Sequence, residues 1–179
     1  PMPEIIPIAS DHAGVELKER LKRELVALGY APLDMGTNST DSVDYPDFAH
    51  PLAEKVEHGE VQRGVLLCGT GLGMSYAANR HHGVRAAVAW SPEVAQLSRE
   101  HNDANVLVLP ARCISEDESV EILKRWLSTP FAGGRHSRRV AKIEEGEGTS
   151  RDTIPPACGK PIRWPPPSWT GSSAASATG

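Results

Sequence analysis

The 179-residue chain has a formal net charge of −4, which argues against bulk attraction to nucleic acid or to an anionic membrane surface. With 39% apolar and 23% charged residues, it has the make-up of an ordinary globular protein with room for one self-sufficient core, and no apolar run approaches the ~20 residues of a membrane span. Its three scattered cysteines, Cys68, Cys113 and Cys158, form no CxxC pair; this speaks against a disulfide framework or a zinc site and, with no secretory signal visible, for a reducing, cytoplasmic setting.

Residues 4–10, EIIPIAS, suit a buried strand, with Pro7 suggesting an edge or an end. Leu17, Leu21, Leu25 and Leu28 then recur at helical spacing, Glu16/Arg20 and Glu19/Arg23 stand four apart, and Gly29 can close the helix. A strand over 31–36 and a polar loop over 37–46 follow. Phe48, Leu52 and Val56 mark a second helix, in which Pro51 is tolerable only near the first turns. GVLLC at 64–68 reads as a buried strand, 72–80 as a helix and 84–90 as another strand. Ser91-Pro92-Glu93 is a helix start, with Val94, Leu97, Ser98 and His101 on one face. NVLVLP at 105–110 is a fifth strand; Ser115 and Glu118 form a capping box before Val120, Leu123 and Leu127, and a last helix is expected from about 137 to 145.

Five alternations of strand and helix predict a doubly wound α/β fold, a five-stranded parallel sheet of Rossmann-like type with helices on both faces. Sites on such sheets lie at the carboxyl ends of the strands. The domain is assigned to residues 1–145. Residues 146–179 form a Pro/Ser-rich tail whose composition suggests disorder, but Trp164 and Trp169 favour an extended strap.

Three segments stand at strand ends: SDHAG after 4–10, CGTGLG after 64–68 and the Arg112-Cys113 pair after 105–110. In CGTGLG, Gly69, Gly71 and Gly73 are spaced too closely for a dinucleotide fingerprint, and Met74 stands where a P-loop would carry lysine. Met74 also stands six residues after Cys68, where a cysteine phosphatase would carry arginine. A fourth reading fits. A thiol beside a glycine-rich turn and a helix start is placed to act as a thiolate base, while the turn's amides hold a developing oxyanion; a purely packing role for Cys68 stays open, since free cysteine is often buried.

SDHAG, CGTGLGMSYAANR, AQLSREHNDANVL and GGRHSRR occur in this order. Together they resemble the B-type ribose-5-phosphate isomerases, which belong with the galactose-6-phosphate isomerase subunits in one sugar-phosphate isomerase family; the resemblance covers about residues 4–145. It implies a cofactor-free and metal-free interconversion of ribose 5-phosphate and ribulose 5-phosphate through a cis-enediolate. On the matching positions, Cys68 would be the base, and Gly69, Gly71, Leu72 and Gly73 would hold the enediolate with the Thr70 hydroxyl. One branch of the family has a glutamate at the position of Met74 instead of the cysteine; this chain resembles the cysteine branch.

The resemblance also implies that His101 opens the sugar ring across a homodimer interface, so that two subunits share each site. Asp11, His12, Tyr45, Asn102, Arg112, Arg135 and Arg139 would contact the sugar phosphate. Taken alone, His101 is a helix-end histidine stabilised by the dipole, and the arginines are a basic patch offsetting Glu144 and Glu145. Cys113 and Cys158 are left as structural. Two alternatives remain: a hexose 6-phosphate isomerase acting on allose or galactose 6-phosphate, and a sugar-phosphate-binding protein without catalysis.

Overall fold

The computed structural model describes residues 2–147; the tail and the strap expected of it lie outside these residues. Five strands form one all-parallel sheet: β1 (Ile5–Ser10), β2 (Ala31–Asp34), β3 (Gly64–Cys68), β4 (Ala86–Val88) and β5 (Val106–Pro110), in the order β2-β1-β3-β5-β4. The central strands β3 and β5 are buried along their whole length, as uninterrupted apolar runs require when both faces of a sheet are covered.

The alternation of side chains along the strands sorts the core into two layers. Ile6, Ile8, Val65, Leu67, Leu107 and Leu109 face the helices α1 (Val15–Ala27), α4 (Pro92–Asn102) and α5 (Glu116–Ser128). Ala9, Leu66, Cys68, Val106 and Val108 face α2 (Pro46–Glu57) and α3 (Leu72–Ala78). The predicted doubly wound fold is therefore observed. Among the described residues no helix is long and apolar enough to cross a membrane.

The predicted caps form. Ser91 accepts the Val94 amide, and Ser115 and Glu118 make a reciprocal capping box. Several local expectations need correction. Pro7 lies in an inner strand: the Glu4 and Ile8 carbonyls accept from Ala31 and Met35 on the β2 side, which turns Pro7 toward β3, whose ladder begins only at Ile8, so its missing N–H interrupts no bond. Pro51 stands well inside α2, because the helix begins at Pro46 rather than near Phe48. On α1 the ion pairs are Arg20–Glu24 at 3.0 Å and Glu19–Lys22 at 2.8 Å, rather than Glu16–Arg20 and Glu19–Arg23. On α4 the buried face is Ala95 and Ser98, while Leu97 is exposed.

The 84–90 strand shortens to three residues, since β4 is an edge strand paired with β5 alone. The last helix, α6 (Arg135–Ala141), starts two residues early and stops before the acids. Glu144 sits in a separate 3₁₀ turn, where it pairs with His82 at 3.2 Å, and so cannot offset the arginines from within their helix.

Candidate active site

Cys68 is the last residue of β3, with its side chain on the α2/α3 face and only 5% exposed. The chain then has to reverse into α3 within three residues. Gly71 makes this possible with φ +78°, a conformation that a side chain would strain. The turn brings the Gly71 amide to 3.2 Å from Cys68 Sγ, so the backbone N–H donates to the sulfur. Such a bond is stronger when the acceptor carries charge. The thiol and the glycines thus form one unit in which the turn folds back over the thiol.

Other side chains close around this turn. The Tyr45 ring lies over Gly73 so closely that a Cβ there would stand 2.7 Å from the ring. Arg112 follows β5, donates its amide to the Gly69 carbonyl at 3.0 Å and lays its side chain against Gly69. Asp11 follows β1; its amide donates to the Leu67 carbonyl at 3.1 Å, and its carboxylate caps the 3₁₀ turn His12–Gly14 through the Ala13 amide at 2.9 Å. His12 Nδ1 accepts from the Val43 amide at 3.3 Å. Thr70 is exposed, with its hydroxyl accepting the Leu72 amide at 3.4 Å, and Leu72 is half exposed. Met74 is fully buried in the core layer behind the turn.

The structure thus brings Asp11, His12, Tyr45, Cys68, Gly69, Thr70, Gly71, Leu72, Gly73 and Arg112 to the carboxyl ends of β1, β3 and β5. It does not bring the remaining candidates there. His101 and Asn102 end α4, and a crossover helix runs back along the sheet. Asp103, which follows, holds Arg85 at 3.3 Å, and the Asn105 carbonyl accepts the Gly64 amide at 3.0 Å. His101 therefore sits by the amino ends of β3 and β4, separated from Cys68 by the length of β3, roughly 13 Å at the usual strand rise.

At that end α6 docks on α4. The His136 ring stacks on His101 with centroids 4.4 Å apart and planes 10° apart, and the Ala132 amide donates to the Glu100 carbonyl. Arg135 and Arg139 are exposed, four apart on the same helix. Loss of hydration, the neighbouring His101 and the positive charges of Arg135 and Arg139 hold His136 below the usual histidine range.

Sequence reasoning missed the support of the loop after β2. Lys18, on α1, is completely buried and donates to both Asp34 carboxylate oxygens at 2.8 Å and to Asn38 Oδ1 at 2.9 Å. Its one visible signal was a lysine beside Leu17 on the apolar stripe.

Known proteins of this architecture carry a name. The model of the family described as Ribose/Galactose Isomerase matches residues 6–143. The ribose-5-phosphate isomerase B of Escherichia coli is 44% identical over 138 residues, 77% of this chain and 93% of that protein. A ribose 5-phosphate isomerase crystal structure from Thermotoga maritima superposes with a TM-score of 0.77 at 52% identity, covering 79% of this chain and 98% of that one. A ribose-5-phosphate isomerase B from Mycoplasma genitalium, solved with bound ribulose-5-phosphate, superposes with a TM-score of 0.80 at 41% identity, covering 84% and 100%. With four motifs, a parallel fold and near-complete coverage in agreement, the chain belongs to the ribose/galactose isomerase family and is an aldose–ketose isomerase.

Proposed function

We propose that the chain interconverts ribose 5-phosphate and ribulose 5-phosphate through a cis-enediolate, with Cys68 as the base and without metal or cofactor. The carrying observation is the contact of the Gly71 amide with Cys68 Sγ inside a turn flanked by Tyr45 and Arg112. The similar proteins named above as ribose-5-phosphate isomerases support the choice of substrate.

The Cys68 thiolate takes the proton from C2 of the opened aldose. The C–H electrons form the C1–C2 double bond, and the carbonyl electrons settle on O1 as the oxyanion. Amides of the Gly69–Gly73 turn and the Thr70 hydroxyl stabilise that charge. The thiol returns the proton to C1 as the carbonyl forms at O2, and the O2 proton passes to O1. The substrate proton ends on the neighbouring carbon, and Cys68 ends as it began.

Within one chain this site lacks a ring opener and the Arg135/Arg139 pair. We assign these to a second copy, whose α4–α6 end supplies His101, Asn102, Arg135 and Arg139 to the first copy's Cys68 site. The exposed apolar Leu72, Tyr76 and Trp90 support this, since α3 and the segment after β4 present them to solvent. His12 and Arg112 complete the sugar-phosphate contacts.

The test is Cys68→Ser. It preserves shape but exchanges a thiol for a hydroxyl that stays protonated at neutral pH, and turnover should fall by about 10²–10⁴, the usual worth of a positioned base. In a Cys113→Ser, Cys158→Ser background, which removes the exposed thiol of Cys113, iodoacetamide should label Cys68, and sugar phosphate should protect it. Near-normal turnover in a folded Cys68→Ser protein would assign the proton transfer to another group. A parallel assay on allose 6-phosphate should give a lower kcat/KM than ribose 5-phosphate; the reverse order would make the enzyme a hexose phosphate isomerase.

A further inference from the structure

A completely buried lysine is expensive. Its ammonium loses its hydration, a cost that good hydrogen bonds must offset. Lys18 is such a residue, with no exposed surface, and it takes no part in the chemistry above. Neutralising Asp34 does not explain it. Lys22 already contacts Asp34 at 2.7 Å, and the Gly36 amide donates to Oδ1 at 2.9 Å. What Lys18 adds is a bond to Asn38 at 2.9 Å, on the exposed loop between β2 and α2.

That loop is fixed at its start and does something at its end. The Ser10 amide donates to the Gly36 carbonyl at 2.6 Å, and the Thr37 amide donates to the Ser10 carbonyl at 2.7 Å, which ties the loop to the residue before Asp11. Beyond Asn38, the Ser39 amide bonds the Thr37 hydroxyl at 3.3 Å and the Asp41 amide bonds the Ser39 hydroxyl at 3.1 Å. The loop then delivers the Val43 amide to His12 Nδ1 at 3.3 Å, and two residues later Tyr45 covers Gly73. An amide N–H can only donate. His12 Nδ1 is therefore the acceptor, and the ring hydrogen is on Nε2, where it is available as a donor to an oxygen.

We infer that Lys18 is a positioning residue: through Asp34 and Asn38 it sets the loop whose Val43 amide fixes the His12 ring with Nε2–H presented to the sugar phosphate. This rests on the contact proposed above between His12 and the sugar phosphate. Lys18 touches no reacting atom, and its effect arrives through Asp34 at the end of β2, the loop residue Asn38 and a backbone amide.

The experiment is long-range ¹H–¹⁵N correlation of histidine-labelled full-length protein, with the His12 signals among the chain's seven histidines assigned by their loss in His12→Gln. In the wild type, His12 should show an unprotonated Nδ1 and a protonated Nε2. Asn38→Ala cuts the link at an exposed position and keeps the Lys18–Asp34 pair, so the protein stays folded. It should move His12 toward an average of both tautomers and raise KM for ribose 5-phosphate about tenfold, the usual worth of a charge-assisted hydrogen bond, with kcat changed less. Asn38→Asp keeps an acceptor for Lys18 and should restore both readouts. Lys18→Met should act like Asn38→Ala with a lower Tm; where it does not fold, Asn38→Ala decides.

An unchanged His12 tautomer in folded Asn38→Ala overturns the inference. So does an unchanged KM in Asn38→Ala if His12→Gln itself raises KM. If His12→Gln leaves KM untouched, the proposed contact between His12 and the sugar phosphate fails instead, and the tautomer alone decides whether Lys18 positions the ring.

Discussion

A Cβ at Gly73 would lie 2.7–2.9 Å from three atoms of the Tyr45 ring, well inside van der Waals contact. The colliding atoms are the far end of a side chain that is 40% exposed, so the ring can swing away at little cost to the fold. Gly73→Ala should therefore change stability by less than about 1 kcal/mol while raising KM, because Tyr45 leaves the turn. Tyr45→Ala should raise KM too, and the double variant should resemble either single one, as for residues sharing one contact. Additive losses would mean that Gly73 matters through its backbone alone. His136 offers a second check. Lost hydration, the neighbouring His101 and the charges of Arg135 and Arg139 hold it below the ordinary histidine range. A phosphate dianion on Arg135 and Arg139 should move it upward, visible as an acid-side NMR titration that shifts to higher pH on adding ribulose 5-phosphate. An unmoved titration would put the phosphate elsewhere.

The join of α1 to β2 and its loop makes a pH-dependent contribution. Burial alone would raise the Asp34 carboxyl, but the ammoniums of Lys18 and Lys22 and the Gly36 amide outweigh it and hold Asp34 at about 2, against an ordinary 3.8. A carboxyl depressed in the folded state stabilises fully above its unfolded value, and that stability is lost as pH falls through the folded one. The contribution, on the order of 2–3 kcal/mol, should thus be present above about pH 4–5 and vanish toward pH 2. Thermal melts of the wild type and Asp34→Asn should differ at pH 6 and converge below pH 3; a constant gap would exclude the ion pairs as its cause. At α5, Ser115→Ala removes one arm of the capping box and should cost about 1 kcal/mol in chemical denaturation. That cap was legible in the sequence because Ser115 and Glu118 act within one turn, and β3 and β5 were legible because strands covered on both faces are apolar throughout. The loop over residues 36–45 was not legible. Its anchor, Lys18, carries a charge that argues for solvent, and its partners Asp34 and Asn38 stand 16 and 20 residues away. Composition showed that residues 37–46 form a loop, but could not show what holds it.

Cys68 and the Gly69–Gly73 turn were readable as one site because they are contiguous. His101 and Arg139 were placed with them through the resemblance, and in the folded chain they stand at the opposite end of the sheet, since a crossover helix must run back before the next strand begins. On the proposed reading, a single chain holds two halves of a site that do not face each other, and a two-fold dimer would pair each half with its complement. This has a consequence that no single-chain site can mimic. On that reading, Cys68→Ser and His101→Asn should each disable ribose 5-phosphate turnover, the first at proton transfer and the second at ring opening. In a mixed dimer, one site combines Cys68 of the His101→Asn chain with His101 of the Cys68→Ser chain, and is intact; the other site carries both substitutions. Random re-association of equal amounts makes half the dimers mixed, each with one working site of two, so activity should return to roughly a quarter of the wild-type value. Refolding the two proteins together, against each refolded alone, measures it. If the mixture shows no more than the average of its parts while size-exclusion chromatography of tagged chains confirms mixed dimers, Cys68 and His101 act within one chain, and the shared site is wrong.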